Sequence, residues 1–354
     1  MNACTLLTKV VIPLATRKDV ALRAGVSEAT VSRVFNNVTP LRDETKQRVL
    51  QAARELQYHP NTIAQSFAKG KSGNIGVIVP YLPRVRILST YYFSEILSGI
   101  GKQLAEQQYG LLLLFQSPDE QRNYSELFHS QKVDGCIILG SKDIPSEREQ
   151  LSKLHENKYP YCLVNQTFHD EPFHSIDAEH VKGSQEAVEL LLNKGYKNIA
   201  FLNGPDIYSN SQERAIGYEQ ALKKAGIALN KDLNFIGNYS RTSGLNIAKK
   251  LAPVLADIDA IFAANDRMAI GLMQGLRELG YQAGRDYALI GYDDSDLTTM
   301  VQPTLSSVKV PFFEMGRIAA ELVLTMITSN HSNTIHKRLP VKVIERVSTQ
   351  IKNV

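Results

Sequence analysis

The chain has 354 residues, of which 43% are hydrophobic and 21% are charged. This composition is typical of a folded globular protein and excludes a disordered chain, while the length predicts two or three domains. The net charge of +4 is unevenly distributed, because residues 1–71 carry 11 Lys and Arg against 5 Asp and Glu. A basic first part predicts a polyanionic partner at that end of the chain.

Residues 1–15 contain an apolar stretch that faintly resembles a signal peptide. Lys9 interrupts the stretch and no charged segment precedes it, so we expect either a disordered extension or a start site placed too early. No apolar run reaches the ~18 residues of a membrane span, so no membrane partner is expected. Cys4, Cys136 and Cys162 lack metal-site spacing. The last two lie in strand-like runs, which predicts reduced thiols and a cytoplasmic protein.

The segment from Thr16 to Asn36 has the apolar spacing of a helix-turn-helix. Two short apolar faces flank Gly25, which can adopt the positive φ of a tight turn. Thr16 and Ser27 stand where the two helices need N-caps. The second helix would expose a polar set suited to a DNA groove: Glu28, Ala29, Thr30, Ser32, Arg33 and Asn36. An ordinary helical hairpin is the alternative interpretation of this segment.

Residues 43–58 show the periodicity of a third helix, which would complete a small DNA-binding headpiece over residues 16–59. Residues 60–71 then predict a separate hinge helix, with Pro60 suited to its first turn and Gly70 to its end. A helix of this length is too short to be stable alone in water. We therefore expect the hinge helix to fold only when something packs against it.

From residue 74 onward, apolar strands alternate with amphipathic helices. The predicted strands are 75–80, 110–115, 135–140, 161–165, 198–204, 260–265 and 288–294, and helical patterns cover 92–108, 179–194, 211–226 and 266–280. This alternation predicts α/β architecture with parallel, doubly covered sheets in two Rossmann-like lobes. A ligand would bind at the carboxyl ends of the strands, in the crevice between the lobes.

Enzyme chemistry has little support in the sequence. There is no GxGxxG after the first strand, no Walker motif, no Ser/His/Asp arrangement, no metal-binding cluster and no paired carboxylates of acid and base type. The histidines at positions 129, 155, 169, 174, 180, 331 and 336 are scattered, so solvated or structural roles are expected for them. We therefore predict a protein without catalytic residues, bound metal or cofactor.

At this point the motifs match a family. TRKDVALRAGVSEATVSRVFN and YHPNTIAQSFAKGKSGNIGVIVP resemble the headpiece, hinge and first core strand of lactose-repressor-type (LacI/GalR) regulators, and FSEILSGI, VDGCIILG, ERAIGYEQAL, AANDRMAIG and IGYDDSDL continue the likeness. The resemblance implies a homodimeric transcription regulator with a core like that of periplasmic binding proteins. Its lobes would comprise residues 74–175 with 309–335, and residues 176–308 with 336–354, around a small effector.

The resemblance also implies which residues contact double-stranded DNA. In the headpiece they are Thr16, Arg17, Ser27, Glu28, Ala29, Thr30, Ser32, Arg33, Asn36, Thr45 and Tyr58; in the hinge they are Asn61, Ala64, Gln65, Phe67 and Lys69. Arg33 is suited to a bidentate contact with guanine, and Glu28 either accepts from a cytosine amino group or points away. Phe67 replaces the usual leucine wedge of the minor groove, with a hinge–core contact as the alternative.

Effector contacts follow from the same likeness. Arg214 and Asp293 match positions that hold effector hydroxyls in similar regulators, although a structural ion pair is the alternative. Asn165 and Asn265 would add amide contacts at strand ends. Phe93 and Tyr239 would offer flat faces to a ring, unless they are packed aromatics. The sequence departs from the family pattern where Thr90-Tyr91 replaces Asn-Pro.

Together these features predict a dimeric repressor that binds a pseudo-palindromic operator of a carbohydrate-utilisation operon. The expected effector is a sugar or sugar phosphate, with a purine second. A catabolite-type regulator with a phosphorylated carrier protein as co-effector remains an alternative. A periplasmic sugar-binding protein is disfavoured by residues 16–71, which such a transport component would not need.

Overall fold

The computed structural model describes residues 15–36, 38, 40–59, 70–81, 87–116, 123–329 and 333–350. The chain forms two units, Met1–Ser72 and Gly73–Val354. The predicted extension, apart from residue 15, and residues 60–69 of the predicted hinge helix lie outside the described residues.

The first unit contains, in its described part, the three helices that the apolar periodicity predicts. They are α1 (Arg17–Ala24), α2 (Glu28–Phe35) and α3 (Asp43–Glu55). Val20, Val31 and Val49, one from each helix, are completely buried against one another in a single small core. The predicted helix-turn-helix headpiece is confirmed.

The second unit begins with strands and helices in alternation. Its first lobe contains β1 (Asn74–Pro80), α4 (Tyr91–Glu106), β2 (Gly110–Gln116), α5 (Tyr124–His129), β3 (Gly135–Leu139), α6 (Pro145–Glu156), β4 (Tyr161–Val164) and β5 (Ser175–Ala178). The chain then builds a second lobe from α7 (His180–Asn193), β6 (Ile199–Asn203), α8 (Ser209–Lys224), β7 (Asn234–Ile236), α9 (Arg241–Leu251), β8 (Ala260–Ala263), α10 (Asp266–Glu278), β9 (Ala288–Asp293), α11 (Leu297–Met300) and β10 (Ser306–Lys309). The last described elements are α12 (Phe312–Thr328), β11 (His336–Leu339) and β12 (Lys342–Ile344).

Two six-stranded sheets result, with the orders β11-β5-β4-β3-β1-β2 and β12-β10-β9-β8-β6-β7. Neighbouring strands run parallel except for β12, which is antiparallel to β10. The central strands are buried along their length because helices cover both faces. This parallel, doubly covered architecture confirms the predicted fold class.

The predicted boundaries between the lobes were wrong by one strand at two places. Ser175–Ala178 pairs with β4 and His336–Leu339 pairs with β5, so both belong to the first lobe. The chain therefore crosses between lobes after Ala178, Lys309 and Leu339. These two strands could not be predicted from their residues, because both are short and half polar and main-chain pairing leaves no apolar pattern.

Helix α12 returns to the first lobe and packs closely on α4. A Cβ atom at Gly99 would lie 1.9 Å from the Phe313 carbonyl oxygen, and one at Gly316 would lie 2.2 Å from that of Ile96. Only glycine fits such a contact between backbones. The close packing fixes α4, whose first turn lies at the crevice between the lobes.

His174 makes the first lobe sensitive to acid. Its Nδ1 accepts a hydrogen bond from the Ile335 backbone N–H at 3.2 Å, just before β11. Burial lowers the pKa of His174 to about 4, and the neighbouring His155 and His336 add to the shift. Because the neutral form is favoured in the folded state, the stabilising contribution is complete above the unfolded pKa of about 6.5 and is lost as the pH falls towards 4.

We expect the thermal midpoint of the wild-type protein to fall more steeply between pH 6.5 and pH 4 than that of His174→Gln, whose side chain can still accept from Ile335 but does not titrate. Thermal unfolding followed by circular dichroism measures the difference. Substitution of the exposed His129 by glutamine is the matched control. Parallel pH profiles for all three proteins would exclude His174 as the sensitive group.

Candidate nucleic-acid interface and ligand crevice

Local hydrogen bonds hold the corner between α1 and α2. Thr16 caps α1 by accepting from the Asp19 backbone N–H, and the Asp19 carboxylate accepts in return from the Thr16 backbone N–H at 2.8 Å. Gly25 follows α1 with a φ of 64°. Ser27 caps α2 by accepting from the Thr30 backbone N–H at 3.1 Å. The caps and the glycine turn that the sequence predicts are confirmed.

Helix α2 presents one polar face to solvent. Glu28, Ala29 and Arg33 are exposed on it, and Thr30, Ser32 and Asn36 are half-buried. Val31 and Val34 lie on the opposite side of the helix, in the headpiece core. The predicted recognition residues thus share one accessible surface, and their contacts with DNA stay a prediction.

Two of the predicted DNA-contacting residues bind each other. Arg17 Nε lies 3.1 Å from Glu28 Oε2, and both side chains are about half exposed. Exposed ion pairs of this kind contribute about 0–1 kcal/mol, so DNA can displace the pair at little cost. The contact places the Arg17 side chain beside the start of α2.

The other headpiece residues occupy different places. Arg33 Nη2 makes one long hydrogen bond, 3.4 Å, to the Pro40 carbonyl oxygen. Thr45 is half-buried in the first turn of α3. Tyr58 packs edge-on against Phe35, with ring centroids 5.6 Å apart. The predicted hinge contacts Asn61, Ala64, Gln65, Phe67 and Lys69 lie outside the described residues.

In the second unit, Arg214 is the buried cation of the crevice between the lobes. It projects from α8, is 2% exposed, and donates from Nη1 to the Ala264 carbonyl oxygen at 2.7 Å. Its guanidinium lies over the ring of Tyr292, 4.1 Å from the ring centroid. Within the described parts of the chain, the Arg214 Nε–H has no hydrogen-bond partner.

Asp293 ends β9 close to this guanidinium. Burial raises its pKa well above the ordinary value, the charge of Arg214 opposes the rise, and Asp266 adds to it. Its φ of 105° is outside the range that a side-chain-bearing residue normally adopts. No described residue donates a hydrogen bond to its carboxyl group, so the ionised form would gain from any donor brought by a ligand.

Tyr239 and Asn265 belong to the same end of the second lobe. Tyr239 has a φ of 64°, and its hydroxyl contacts Ser211 and donates to Asn210 Oδ1 at 3.1 Å. Asn265 caps α10 through the Met268 N–H and donates to the Tyr239 carbonyl oxygen at 3.1 Å. The Asn265 amide therefore has a structural role already, and the predicted effector contact would be additional.

Hydrogen bonds between the lobes close the seam beside these residues. Gln166 Oε1 accepts from the backbone N–H and the hydroxyl of Ser209, both at 3.0 Å. Arg338 of the first lobe donates to the buried Glu213 carboxylate of the second lobe at 3.1 Å. These bonds must break when the lobes separate.

Comparison with known proteins decides the family. Residues 16–61 match the family model for bacterial regulatory proteins of the lacI family, and residues 188–349 match that for periplasmic binding protein-like domains. The HTH-type transcriptional regulator AscG of Escherichia coli strain K12 is 34% identical over 304 residues, which are 85% of this chain and 89% of AscG. The chain belongs to the LacI family of bacterial regulatory proteins.

Solved structures agree with this assignment. The lac repressor dimer bound to operator and the anti-inducer ONPF superposes with a TM-score of 0.83 and 26% identity, covering 95% of this chain and 99% of that one. The complex of the transcriptional regulator CelR with cellobiose gives a TM-score of 0.73 and 28% identity, covering 94% and 99%. The headpiece is therefore the DNA-binding domain of a LacI-family transcription regulator, and its core has the fold of periplasmic binding proteins.

One predicted effector residue of this LacI-family protein has a different environment. Phe93 is 6% exposed and packs in the core of the first lobe, edge-on to Tyr92 with centroids 4.6 Å apart. This packing favours the alternative of a packed aromatic, and the predicted contact of Phe93 with an effector stays a prediction. Asn165, also predicted as an effector contact, is 1% exposed at the seam.

Tyr91 and Arg267 were not predicted but face the crevice. Burial raises the pKa of Tyr91 to about 12, and the negative charges of Glu95 and, from the other lobe, Asp294 and Asp293 add to the rise. Arg267 donates from Nη1 to the Thr90 hydroxyl of the first lobe at 3.0 Å. The signal for Arg267 was position, because α10 begins directly after β8, and the signal for Tyr91 was the apolar periodicity of α4, which leaves Tyr91 off the core face. Among the described helices, each is too short or too polar to traverse a lipid bilayer.

Proposed function

We propose that this protein is a dimeric, sequence-specific repressor of a carbohydrate-utilisation operon, controlled by a small polyhydroxylated effector. The pair Arg214 and Asp293 carries the proposal. Among the described residues, nothing accepts from Arg214 Nε and nothing donates to the Asp293 carboxyl group. A buried unsatisfied polar group costs about 1–3 kcal/mol. A ligand hydroxyl that accepts from Arg214 Nε removes this cost, and the same hydroxyl can donate to the half-buried Asp293 carboxyl group.

The charges around the crevice favour a neutral sugar over a sugar phosphate. Arg214 and Arg267 are nearby cations, with Arg241 close to Arg267, but Asp293 lies beside the first two and Asp266 next to Asp293. A phosphate dianion would be repelled by whichever of these carboxyl groups is ionised, whereas sugar hydroxyls can both donate and accept and therefore suit either protonation state. Tyr91 and Tyr239 supply aromatic surface against which a sugar ring can pack. A purine is the second candidate, since it also presents donors, acceptors and a flat face.

For operator binding we propose that α2 enters the major groove. Arg33 is its exposed cation and suits a bidentate contact with guanine, while Thr16, Arg17, Ser27, Thr45 and Tyr58 would contact phosphates. Two headpieces would read two half-sites of a pseudo-palindrome. The operator-bound lac repressor dimer, similar in fold over most of the chain, supports this arrangement.

Exposed apolar side chains support the dimer. On β2, at the edge of its sheet, Leu111 is 39% exposed and Phe115 is 51% exposed. An apolar sheet edge left open to solvent invites pairing with another chain. Size-exclusion chromatography with light scattering should give twice the monomer mass of 39.4 kDa, and Phe115→Lys should shift the protein towards monomer.

A thermal-shift experiment tests the effector class. We expect cellobiose or D-ribose, as neutral carbohydrates, to raise the thermal midpoint by about 5 °C at a hundred times Kd. Glucose 6-phosphate represents the phosphorylated class and adenine the purines. A shift with adenine alone would favour the purine-responsive alternative. Absence of any small-molecule shift, together with binding of a phosphorylated carrier protein in a pull-down, would favour the catabolite-type regulator.

A further inference from the structure

His180 is a completely buried imidazole at the boundary between the lobes. It is the first residue of α7, directly after the first crossover of the chain. Histidine can both donate and accept through its two ring nitrogens, so a buried imidazole can connect two partners on opposite sides. Here the partners belong to different lobes.

On the first-lobe side, His180 Nε2 meets two oxygen atoms. Asn165 Oδ1 lies at 2.8 Å and Asp177 Oδ1 at 3.3 Å. A carboxylate oxygen can only accept, so Nε2 must carry the proton. In the neutral ring, Nδ1 is then left as an acceptor.

On the second-lobe side, the Tyr292 hydroxyl lies 3.2 Å from His180 Nδ1, to which it donates when the ring is neutral. The Arg214 guanidinium lies over the face of the same ring, 4.1 Å from its centroid, and Asp293 is the next residue along β9. A continuous buried path therefore leads from Asn165 through His180 and Tyr292 to Arg214.

Asn165 also begins a second path. The backbone carbonyl oxygen of Asn165 accepts from Asn210 Nδ2 at 3.3 Å. Asn210 Oδ1 in turn accepts from the Tyr239 hydroxyl at 3.1 Å. Asn165 has a φ of 60°, and through these contacts its oxygens reach the second lobe. Both paths end at residues proposed to hold the effector.

We infer that His180 and Asn165 are positioning residues of the effector site, which orient Tyr292 and Tyr239, and through Tyr292 the Arg214 guanidinium, when the lobes are closed. This inference rests on the proposed function. Separation of the lobes would pull Asn165 away from His180 and Asn210 and would leave buried polar groups without partners. The closed arrangement thus holds Arg214 in place before the effector arrives, and the effector stabilises that arrangement.

The test compares Tyr292→Phe, which removes only the hydroxyl, with His180→Gln, which keeps an N–H donor towards Asn165 but loses the acceptor for Tyr292. Cellobiose, D-ribose, glucose 6-phosphate and adenine are titrated into each protein by calorimetry. One of these probes should bind to the wild-type protein. We expect the affinity of each variant for that probe to be about tenfold weaker, as for one broken buried hydrogen bond. The double variant should bind no more weakly than either single variant, because both interrupt one path.

Tyr287→Phe is the matched control. Tyr287 is equally buried and directly precedes β9, but its hydroxyl has no hydrogen-bond partner among the described residues. Its loss should leave the binding constant unchanged. A merely structural role would be independent of Arg214, so the Tyr292→Phe effect is also measured in an Arg214→Lys background, where we expect it to disappear.

The outcomes separate the two proposals. Wild-type affinity in Tyr292→Phe and His180→Gln, or an undiminished Tyr292→Phe effect in the Arg214→Lys background, would overturn only the positioning role. A wild-type protein that binds none of the four probes would overturn the proposed effector site and this role with it.

Discussion

Replacement of Arg33 by alanine should weaken binding to the selected operator by about 10–100-fold, as expected for the loss of one bidentate contact to a base. Arg33 is exposed on the recognition face of α2, and its only described hydrogen bond is the long one to the Pro40 carbonyl oxygen. The headpiece should therefore remain folded without it. The measurement is fluorescence anisotropy on a duplex selected from a random library by the wild-type protein.

Arg23→Ala is the matched control for charge. Arg23 is exposed in the same headpiece, but it pairs with Glu55 at 2.7 Å on a surface that α2 does not share. Its loss removes one positive charge and should change affinity for selected and scrambled duplexes alike. If Arg33→Ala and Arg23→Ala lost equal affinity for the selected duplex, Arg33 would contribute only general electrostatic attraction. Other residues would then have to contact the bases.

Salt dependence distinguishes base contacts from phosphate contacts. Log affinity should fall with log salt at a slope of about −0.9 for each phosphate contacted. Arg33→Ala should leave this slope unchanged, because the contact it removes is with a base. Arg17→Ala should reduce the slope by about one unit if Arg17 exchanges Glu28 for a phosphate. A slope near zero for the wild-type protein would contradict a phosphate-clamped dimer.

The sequence predicted elements whose residues are buried on both faces. The apolar runs at 75–80 and 135–140 became β1 and β3 because a central parallel strand has no polar face. β11, with exposed His336, Lys337 and Arg338, is an edge strand held by main-chain bonds to β5. Such a strand has no alternation of apolar and polar side chains from which it could be predicted. The lobe boundaries were therefore placed wrongly.

Side-chain roles were harder to predict than strands. Phe93, Ile96, Ile100 and Leu104 recur at helical spacing, and all four are buried. This periodicity in α4 could have placed Phe93 in the core and left Tyr91 to face the crevice. Nothing local identifies Tyr292 as a partner of His180, because the two residues are 112 positions apart in the sequence. Long-range hydrogen bonds of this kind become visible only in the folded chain.

Replacement of Arg214 by lysine should weaken effector binding by about 100-fold. Lysine preserves the positive charge but not the planar fork, so it cannot satisfy the Ala264 carbonyl oxygen and an effector hydroxyl together. The loss of a charged hydrogen bond in a buried site is worth about 3 kcal/mol, which corresponds to about two factors of ten in Kd. Calorimetric titration with the carbohydrate that shifts the wild-type midpoint measures this loss.

The same variant tests the link between the two units of the chain. If the crevice controls operator binding, the affinities for carbohydrate and for operator are thermodynamically linked. In Arg214→Lys, the operator Kd measured with carbohydrate should then approach the Kd measured without it, at carbohydrate concentrations that saturate the wild-type protein. Arg285→Lys, at an exposed arginine paired with its neighbour Asp286, should respond as wild type does. A carbohydrate that still changed the operator affinity of Arg214→Lys at wild-type concentrations would place the effector away from Arg214. The buried, unpartnered Nε–H would then need another explanation.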